Sequence, residues 1–383
     1  MVEQTDHPDM NALSLVDRLF VLLVVNPEID IHMIEEILSS KSYYNKTITK
    51  WKKAGMIKGE KKEGLATYRL TNLGKKMVQE RFPGVVGRYL TDKNGSYKIF
   101  SRKIENRRRY AEDAWIYQSM LVAGVDCLGE GLFLEDNGVS PEYTGNPPRM
   151  TYFGKPDFKA HLNQEQLGSR NKGAVFDVNG KPYLVYGTYA GHITFYRYKE
   201  FALSRVALGK FESAQIVPQG TMKLPVIVFG HEYDHAETIW ENTNEDTDRF
   251  QRGQTTENAK LRLTDDFERV ICIPRGRTGR TSTRLLLDPE TYTELKAQLL
   301  TKMEPSGNRV IDAYSKSGQS VYVMFVMDMN KLAFIMSEDN EAVVVCFKGL
   351  QEEFLRKVTG NRRRKISFYP IDEETIVNAL GWE

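Results

Sequence analysis

The stretch KSYYNKTITKWKKAGMIKGEKKEGLATYR, residues 41–69, predicts a helix followed by a hairpin. In its first half, Tyr44, Ile48 and Trp51 recur at helical spacing, so all three can face a core. Lysine, asparagine and threonine side chains fall between them and lie towards the opposite side. The first half therefore predicts a short amphipathic helix with a cationic, amide-bearing outer face.

The second half of the stretch predicts two strands that pair with each other. Ala54 and Gly55 interrupt the helical pattern, and the strands follow at residues 56–60 and 66–70. The turn between them, residues 61–64, carries two lysines and a glycine. A cationic helix followed by such a hairpin is typical of a winged helix-turn-helix, in which the helix enters the major groove and the hairpin touches phosphates.

The elements on either side complete the winged-helix order. Residues 11–25 (NALSLVDRLFVLLVV) and 31–39 (IHMIEEILS) predict two preceding helices, and residues 72–81 predict one that follows and stops before a Pro-Gly pair. Residues 1–83 are therefore predicted to form a winged helix-turn-helix DNA-binding domain. Residues 84–105 are interpreted as a basic connector.

The formal net charge of +2 conceals a strongly basic segment. Residues 41–110 contain 20 Lys and Arg against 5 Asp and Glu, a net +15, so the rest of the chain carries −13. A basic block of this density favours a polyanionic partner over a merely solvated surface, whose charges usually have mixed signs. Double-stranded DNA is therefore the expected partner, no cofactor is expected, and a homodimer is compatible with the sequence.

Composition excludes several protein classes. A chain of 383 residues with 41% hydrophobic and 27% charged residues is typical of a globular protein with two or three domains. Three widely spaced cysteines argue for buried thiols and against a disulfide or zinc framework. Because no apolar run approaches the length of a membrane span and the first residues lack the features of a signal peptide, a cytoplasmic location without a membrane partner is expected.

The predicted DNA contacts are cationic or polar side chains on the third helix, at the hairpin turn and in two further basic clusters. They are Lys41, Tyr43, Asn45, Lys46, Thr49, Lys50, Lys53, Lys61, Lys62, Arg102, Arg107, Arg108, Arg109, Arg275, Arg277 and Arg280. Asn45 and Lys46 are expected to read base edges, while the other cations are expected to hold phosphates.

The two outlying clusters each have a second interpretation. The arginines of 102–109 lead into a predicted helix, where positive charge is unfavourable with the helix dipole, so a DNA clamp is preferred to a solvated first turn. Residues 275–280 (RGRTGR) are interpreted as a flexible cationic loop at the end of a strand, which is either a further backbone contact or simply a loop.

From residue 106 onward the pattern changes to alternating helices and strands. Residues 106–289 predict the order α, three β, α, β, α, β, a mixed sheet of the restriction-endonuclease-like type. Residues 290–383 predict a small α+β region that includes a strand at 332–336. The predicted fold class is therefore a multidomain α+β and α/β chain.

Nucleases with this strand order hold Mg²⁺ with a Pro-Asp pair and an acid-x-Lys group on the next hairpin. Asp157 follows Pro156, and Asp177 ends a predicted strand. The position two after Asp177 is Asn179 and the nearest lysine is Lys181, so the predicted active site is degenerate. Asp157, Asp177 and Lys181 nevertheless define the alternative function, a Mg²⁺-dependent DNA nickase or nuclease.

Two other patterns suggest chemistry. Residues 231–235, HEYDH, match the zinc-protease pattern HExxH, but His231 directly follows a strand, so a helix start on a sheet is the favoured interpretation. A tyrosine nucleophile for strand nicking, at Tyr110, Tyr186 or Tyr189, is also left open, although such aromatics more often belong to a core.

Three segments together resemble the replication-relaxation proteins of Gram-positive plasmids and conjugative elements. They are the winged helix, the helix RRRYAEDAWIYQSMLVAGV, and the strands PDF and GAVFDVNGKPYLVYGTY. The resemblance covers roughly residues 15–275 and rests on pattern and order. It implies a sequence-specific DNA-binding protein of a mobile element that acts in replication initiation, relaxation or mobilisation, alongside other replication or mobilisation proteins. A scaffold that recruits proteins through the acidic C-terminal half is the remaining alternative.

Overall fold

Helices and mixed β-sheets make up the chain in the computed structural model, as the sequence predicts at this level. The structure describes residues 14–37, 41–81, 89–91, 96–98, 100, 102–127, 148–155, 158, 169–188, 197–244, 267–360 and 366–382. No helix in those ranges combines the length and apolar character that crossing a bilayer requires. The chain divides into two units, Met1–Leu128 and Gly129–Glu383.

The first unit contains a small antiparallel sheet surrounded by helices. Its helices are α1 (Leu15–Val25), α2 (Ile31–Ile37), α3 (Lys41–Lys53), α4 (Asn72–Arg81) and α5 (Ile104–Val122), and its strands are β1 (Ile29–Asp30), β2 (Ile57–Lys62) and β3 (Leu65–Leu70). The strands pair in the order β1-β3-β2. Ser14 caps α1 by accepting a hydrogen bond from the Asp17 amide, which satisfies one free donor of the first turn.

The hairpin β2–β3 is tighter than its sequence predicts. The strands extend to Lys62 and start again at Leu65, leaving Glu63 and Gly64 as a two-residue turn with φ of 47° and 81°. Two successive positive φ values match the twist of an antiparallel pair, and glycine at the second position adopts this conformation without strain. Lys61 and Lys62, expected in the turn, therefore end strand β2.

The core of the first unit confirms the predicted inner face of α3. Tyr44, Ile48 and Trp51 are all buried, and the Trp51 ring lies 4.2 Å from the ring of Phe20 on α1. The burial of these large apolar surfaces is the main source of stability for a helix of this length.

Helix α5 packs within the first unit, whereas the sequence predicts that it begins the α/β domain at residue 106. The reason is Arg107, whose side chain is completely buried and pairs with Glu28, next to β1. The tip of β2–β3 adds a contact, because Arg108 donates a hydrogen bond to the Glu63 carbonyl. The predicted boundary between connector and second domain is therefore wrong.

The second unit holds two sheets and seven described helices. The helices are α6 (Arg197–Ser213), α7 (Asp234–Asn244), α8 (Arg277–Leu287), α9 (Pro289–Leu299), α10 (Met329–Ser337), α11 (Leu350–Thr359) and α12 (Glu373–Ala379). The strands are β4 (Thr151–Gly154), β5 (Asn171–Phe176), β6 (Pro182–Gly187), β7 (Val226–Gly230), β8 (Val270–Pro274), β9 (Glu304–Pro305), β10 (Ala313–Tyr314), β11 (Ser320–Val323), β12 (Met327–Asp328), β13 (Ala342–Phe347) and β14 (Ile366–Ile371).

The first of these sheets has the order β12-β8-β7-β6-β5-β4. Strands β4, β5 and β6 form an antiparallel meander, β6, β7 and β8 are parallel, and β12 runs antiparallel to β8. Strand β12 belongs to the region predicted as a separate C-terminal part, so residue 289 does not separate two sheets.

The second sheet has the order β14-β13-β11-β10-β9, with β11, β13 and β14 parallel. Apolar side chains of both sheets, such as Val228 and Val344, share one core. Cys272 and Cys346 are buried free thiols within it, as the sequence predicts.

A predicted strand at 332–336 is instead part of helix α10. Asp328 starts the helix, because its carboxylate accepts hydrogen bonds from the amides of Asn330 and Lys331. Leu332, Ile335 and Met336 are then buried on one face. A short apolar run fits a strand or a buried helix equally well, and the cap decides between them.

Candidate nucleic-acid interface

Helix α3 exposes a cationic face that carries no carboxylate. The exposed side chains among the predicted contacts on this helix are Tyr43, Asn45, Lys46, Thr49, Lys50 and Lys53. The Lys41 side chain is outside the described part of the chain. Lysines at the carboxyl end of α3 are also favourable with the helix dipole, so the charge that suits a polyanion does not weaken the helix.

The hairpin β2–β3 is held against α3 by aromatic contacts. The Lys52 ammonium lies 4.6 Å from the centre of the Tyr68 ring, and the hydroxyls of Tyr44 and Tyr68 are 3.4 Å apart. Lys61 and Lys62 are exposed at the strand end, where Lys62 lies 3.7 Å from Glu63. Helix α3 and the hairpin that carries these lysines therefore pack against each other.

The arginine cluster at 102–109 separates into structural and exposed members. Arg107 is fully buried, donates to both carboxylate oxygens of Glu28 and to Thr67, and lies 3.2 Å from Glu60. Arg107 is therefore wrongly predicted as a phosphate contact, since its charge is enclosed and compensated. Arg102 remains half-exposed and also pairs with Glu60, at 2.9 Å.

Arg108 and Arg109, like Arg102, are exposed. Arg108 reaches the carbonyl of Glu63 at the hairpin turn, 3.2 Å away, and so places its charge at the tip of the hairpin. This placement is compatible with the predicted phosphate contact. The sequence does not indicate that Arg107, rather than Arg108 or Arg109, is the buried arginine, because the buried face of the helix is set by its packing partners.

The predicted cationic loop at 275–280 does not exist as a loop. Helix α8 begins at Arg277, and Gly279 lies so close to the preceding strand that a Cβ atom would meet the Pro274 oxygen at 1.7 Å. Arg277 pairs with Glu374 at 3.1 Å, and Thr281 donates to Glu373. Arg275 and Arg280 are partly buried. The first turn of α8 is therefore engaged by carboxylates of α12, which argues against its role as an open phosphate grip.

Two of the three nuclease candidates, Asp177 and Lys181, lie in the described part of the chain, and both are engaged in structural contacts. Asp177 is buried and accepts hydrogen bonds from the amides of Asn179 and Lys181, which closes the turn between β5 and β6. The Lys181 ammonium instead pairs with Glu268 at 2.7 Å. Burial raises the pKa of Asp177 above its ordinary value, while the turn amides act against this shift. Asp157 lies outside the described residues.

No group of three or more His, Cys, Asp or Glu side chains is placed to hold a metal ion within the described ranges. Of the candidate tyrosines, Tyr186 is buried, and this burial raises its pKa well above the ordinary value, which is unfavourable for a nucleophile. Tyr110 is partly exposed on α5, and Tyr189 lies outside the described residues.

The HExxH segment supports the interpretation of a helix start on a sheet. His231 is exposed and precedes α7, whereas His235 is fully buried on it. Gly230 leaves room for the imidazole, because a Cβ atom there would lie 2.2 Å from His235 Nδ1. The two histidines therefore do not face one open metal site.

We expect the buried His235 to make folding sensitive to acid. Burial lowers the pKa of His235 from its ordinary value to about 3, with the Val228 backbone acting in the opposite direction. An unfolded histidine binds a proton near pH 6.5, whereas the folded protein excludes this proton until about pH 3. The contribution of neutral His235 to the free energy of unfolding is therefore complete above about pH 6.5 and is lost as the pH falls towards 3. Unfolding free energy should decline by up to about 1.4 kcal/mol per pH unit over this window.

The measurement is urea unfolding at several pH values for wild type, His235→Leu and His231→Leu. His235→Leu should flatten the decline because the buried proton acceptor is gone, and exposed His231 serves as the control. An equally steep decline in His235→Leu would contradict this assignment.

The α3 face, the end of the β2–β3 hairpin and Arg108 are thus brought together in the first unit. Sequence reasoning missed the contact by which Lys52 holds the hairpin through the Tyr68 ring. Its position between buried Trp51 and exposed Lys53 places Lys52 at the edge of the inner face of α3. No protein-family model, curated protein or solved structure matches this chain.

Proposed function

We propose that the first unit is a winged helix-turn-helix that binds double-stranded DNA, with α3 as the recognition helix and β2–β3 as the wing. The element order α1-β1-α2-α3-β2-β3 and the sheet order β1-β3-β2 support this proposal. The observation that carries it is the exposed face of α3, which combines several lysines with an asparagine and has no acidic residue. Such a face attracts the phosphate backbone and offers donors to base edges.

In this arrangement the residues of α3 have two roles. Asn45 and Lys46 contact bases, since an amide can bond bidentately to adenine and an ammonium can donate to guanine. Lys50 and Lys53, with Lys61 and Lys62 on the wing, hold phosphates and fix the register of the helix. Arg107 acts in neither role, because it is buried.

The second unit contains the element order β4-β5-β6-α6-β7-α7-β8. We infer a restriction-endonuclease-like ancestry from the antiparallel meander followed by parallel strands β7 and β8. With Asp177 and Lys181 engaged in structural bonds, this unit is not proposed to cut DNA. The proposed setting is replication, relaxation or mobilisation of a plasmid or another mobile element.

Replacing Lys50 and Lys53 together by alanine should weaken binding to every duplex and reduce its salt dependence. Two lost phosphate contacts lower the slope of log affinity against log salt by about 1.8, so the variant should lose about tenfold less affinity than wild type between 50 and 200 mM salt. Fluorescence anisotropy with a labelled duplex measures both quantities.

The control is the double substitution Lys302→Ala and Lys316→Ala, which removes the same charge from exposed positions of the second unit. That variant should keep the wild-type slope. If the Lys50 and Lys53 variant keeps it too, α3 does not contact the phosphate backbone.

Once wild type has selected a site from random duplexes, Asn45→Ala should discriminate less than wild type between that site and a mismatched site.

A further inference from the structure

The first unit contains a cavity that the proposed DNA contacts do not use. It has a volume of about 600 Å³ and lies between the end of α1, the base of the β2–β3 hairpin, the start of α4 and the described residues 97, 98, 100 and 102. No residue of α3 is among its described lining residues. The volume falls within the range of small-molecule sites, roughly 300–1,000 Å³.

The cavity is strongly cationic. Its described lining includes Lys58, Arg69, Lys75, Lys98 and Arg102. The one carboxylate among the described lining residues is Glu28, whose two oxygens already accept hydrogen bonds from Arg107. The lining charges therefore favour an anion.

Three of these cations have capacity for a ligand. Within the described ranges, Lys58 and Lys75 have no carboxylate at ion-pairing distance, although Lys75 donates a long hydrogen bond of 3.5 Å to the Lys98 carbonyl. Arg69 lies 3.6 Å from Glu60 through a terminal nitrogen but keeps a buried Nε without an acceptor. Burial lowers the pKa of Lys75, so this ammonium has lost part of its hydration. An anionic oxygen would replace the missing water and supply acceptors to these donors.

The remaining lining is mainly apolar and includes two aromatic rings. Tyr97 and Phe100 line one part of the cavity, and Leu23, Leu70 and Leu90 line another. The Lys75 ammonium lies 4.8 Å from the centre of the Tyr97 ring, so the cationic and aromatic parts adjoin. A ligand that suits this lining has a phosphate at one end and a planar ring at the other.

We propose that this cavity binds a nucleoside phosphate, with the phosphate against Lys58, Arg69 and Lys75 and the base against the aromatic wall. Lys58 and Arg69 lie on the two strands of the hairpin and Lys75 lies on α4. The ligand therefore bridges the hairpin and the helix that follows it. The cavity shares no residue with the DNA contacts proposed on α3 and at Lys61 and Lys62, although Arg102, a predicted phosphate contact, also lines it. Its occupancy can be measured without DNA.

The test is calorimetric titration of the full chain, together with thermal unfolding, using AMP, GMP, CMP, UMP, ATP and GTP. Inorganic phosphate and adenosine serve as the two half-ligands. At least one nucleotide should bind and raise the midpoint of thermal unfolding, and both half-ligands should bind much more weakly. Lys58→Ala and Lys75→Ala should each weaken that nucleotide about tenfold, as expected for one lost charge-assisted hydrogen bond.

Lys76→Ala is the matched control, since this exposed lysine neighbours Lys75 on α4 but does not line the cavity. Because Lys58 is exposed, its substitution should leave the fold intact, which circular dichroism verifies. The absence of binding by every nucleotide at millimolar concentration would overturn the proposal, as would equal binding of inorganic phosphate. If nucleotides do not bind and both variants lose duplex affinity, these cations belong to the DNA interface, and the proposed DNA-binding function stands while the nucleotide site fails.

Discussion

Replacing Arg107 by methionine should lower the free energy of unfolding of the first unit by about 3–5 kcal/mol. The guanidinium has no exposed surface and donates to Glu28 and Thr67 at 2.7–2.9 Å. Its removal leaves the Glu28 carboxylate, itself only 4% exposed, without its closest counter-ion. An uncompensated buried charge is what makes a broken buried pair costly.

Urea unfolding of Arg107→Met measures this cost, with Arg108→Met as the control. Arg108 is the adjacent, exposed arginine, so its substitution should change stability little. The double variant Arg107→Met with Glu28→Leu should recover much of the loss, because it removes both charges. An unchanged unfolding midpoint in Arg107→Met would show that the pair does not stabilise the unit.

The same variant separates a structural arginine from a phosphate contact. At temperatures where Arg107→Met is folded, its duplex binding should have the salt slope of wild type, since no phosphate contact has been removed. Arg108→Met should behave in the opposite way, with nearly unchanged stability and a reduced slope, because its guanidinium lies exposed beside the hairpin turn.

Replacing Asp312 by alanine should destabilise the second unit by a similar amount, about 3–5 kcal/mol. The Asp312 carboxylate, 10% exposed, pairs with Lys296 on α9 and Lys331 on α10 and accepts a hydrogen bond from the Val323 amide on β11. Burial raises the pKa of Asp312, but Lys331 and Lys296 more than offset this, so the net pKa is lowered. Without the carboxylate, the Lys296 and Lys331 ammonium groups lose their shared counter-ion, and Lys331 is largely buried.

Thermal or urea unfolding of Asp312→Ala provides the measurement, and Asp339→Ala is the control at an exposed position. Asp312→Asn should be less damaging than Asp312→Ala, because the amide oxygen still accepts from Val323 while the charge is lost. If Asp312→Ala and Asp339→Ala unfold together, the cluster contributes no net stability.

Local patterns account for the parts of the fold that the sequence predicts correctly. The spacing of Tyr44, Ile48 and Trp51 defines the inner face of α3, and these side chains are buried as expected. Apolar runs locate β7, β8 and β13 to within about three residues, since a strand buried on both faces needs a continuous run. Such signals depend only on near neighbours in the chain.

Errors arise where a distant partner decides the outcome. Arg107 reads as a surface cation until Glu28, 79 residues away, is placed beside it. Arg277 reads as part of a loop until the carboxylates of α12, nearly a hundred residues on, cover the start of α8. A charge can be buried or exposed according to its partner, and the partner cannot be read from local periodicity.

The sequence by itself determined the outer face of α3, because the cations and amides of that face follow from helical spacing alone. It also indicated the hairpin, although the turn is the two residues Glu63 and Gly64 instead of the predicted residues 61–64. Only the tertiary structure decided which arginines are available to a ligand, that α5 belongs to the first unit, and that a cationic cavity lies behind the hairpin. These features depend on side chains brought together over long separations, where burial and charge compensation, rather than local preference, set the free energy.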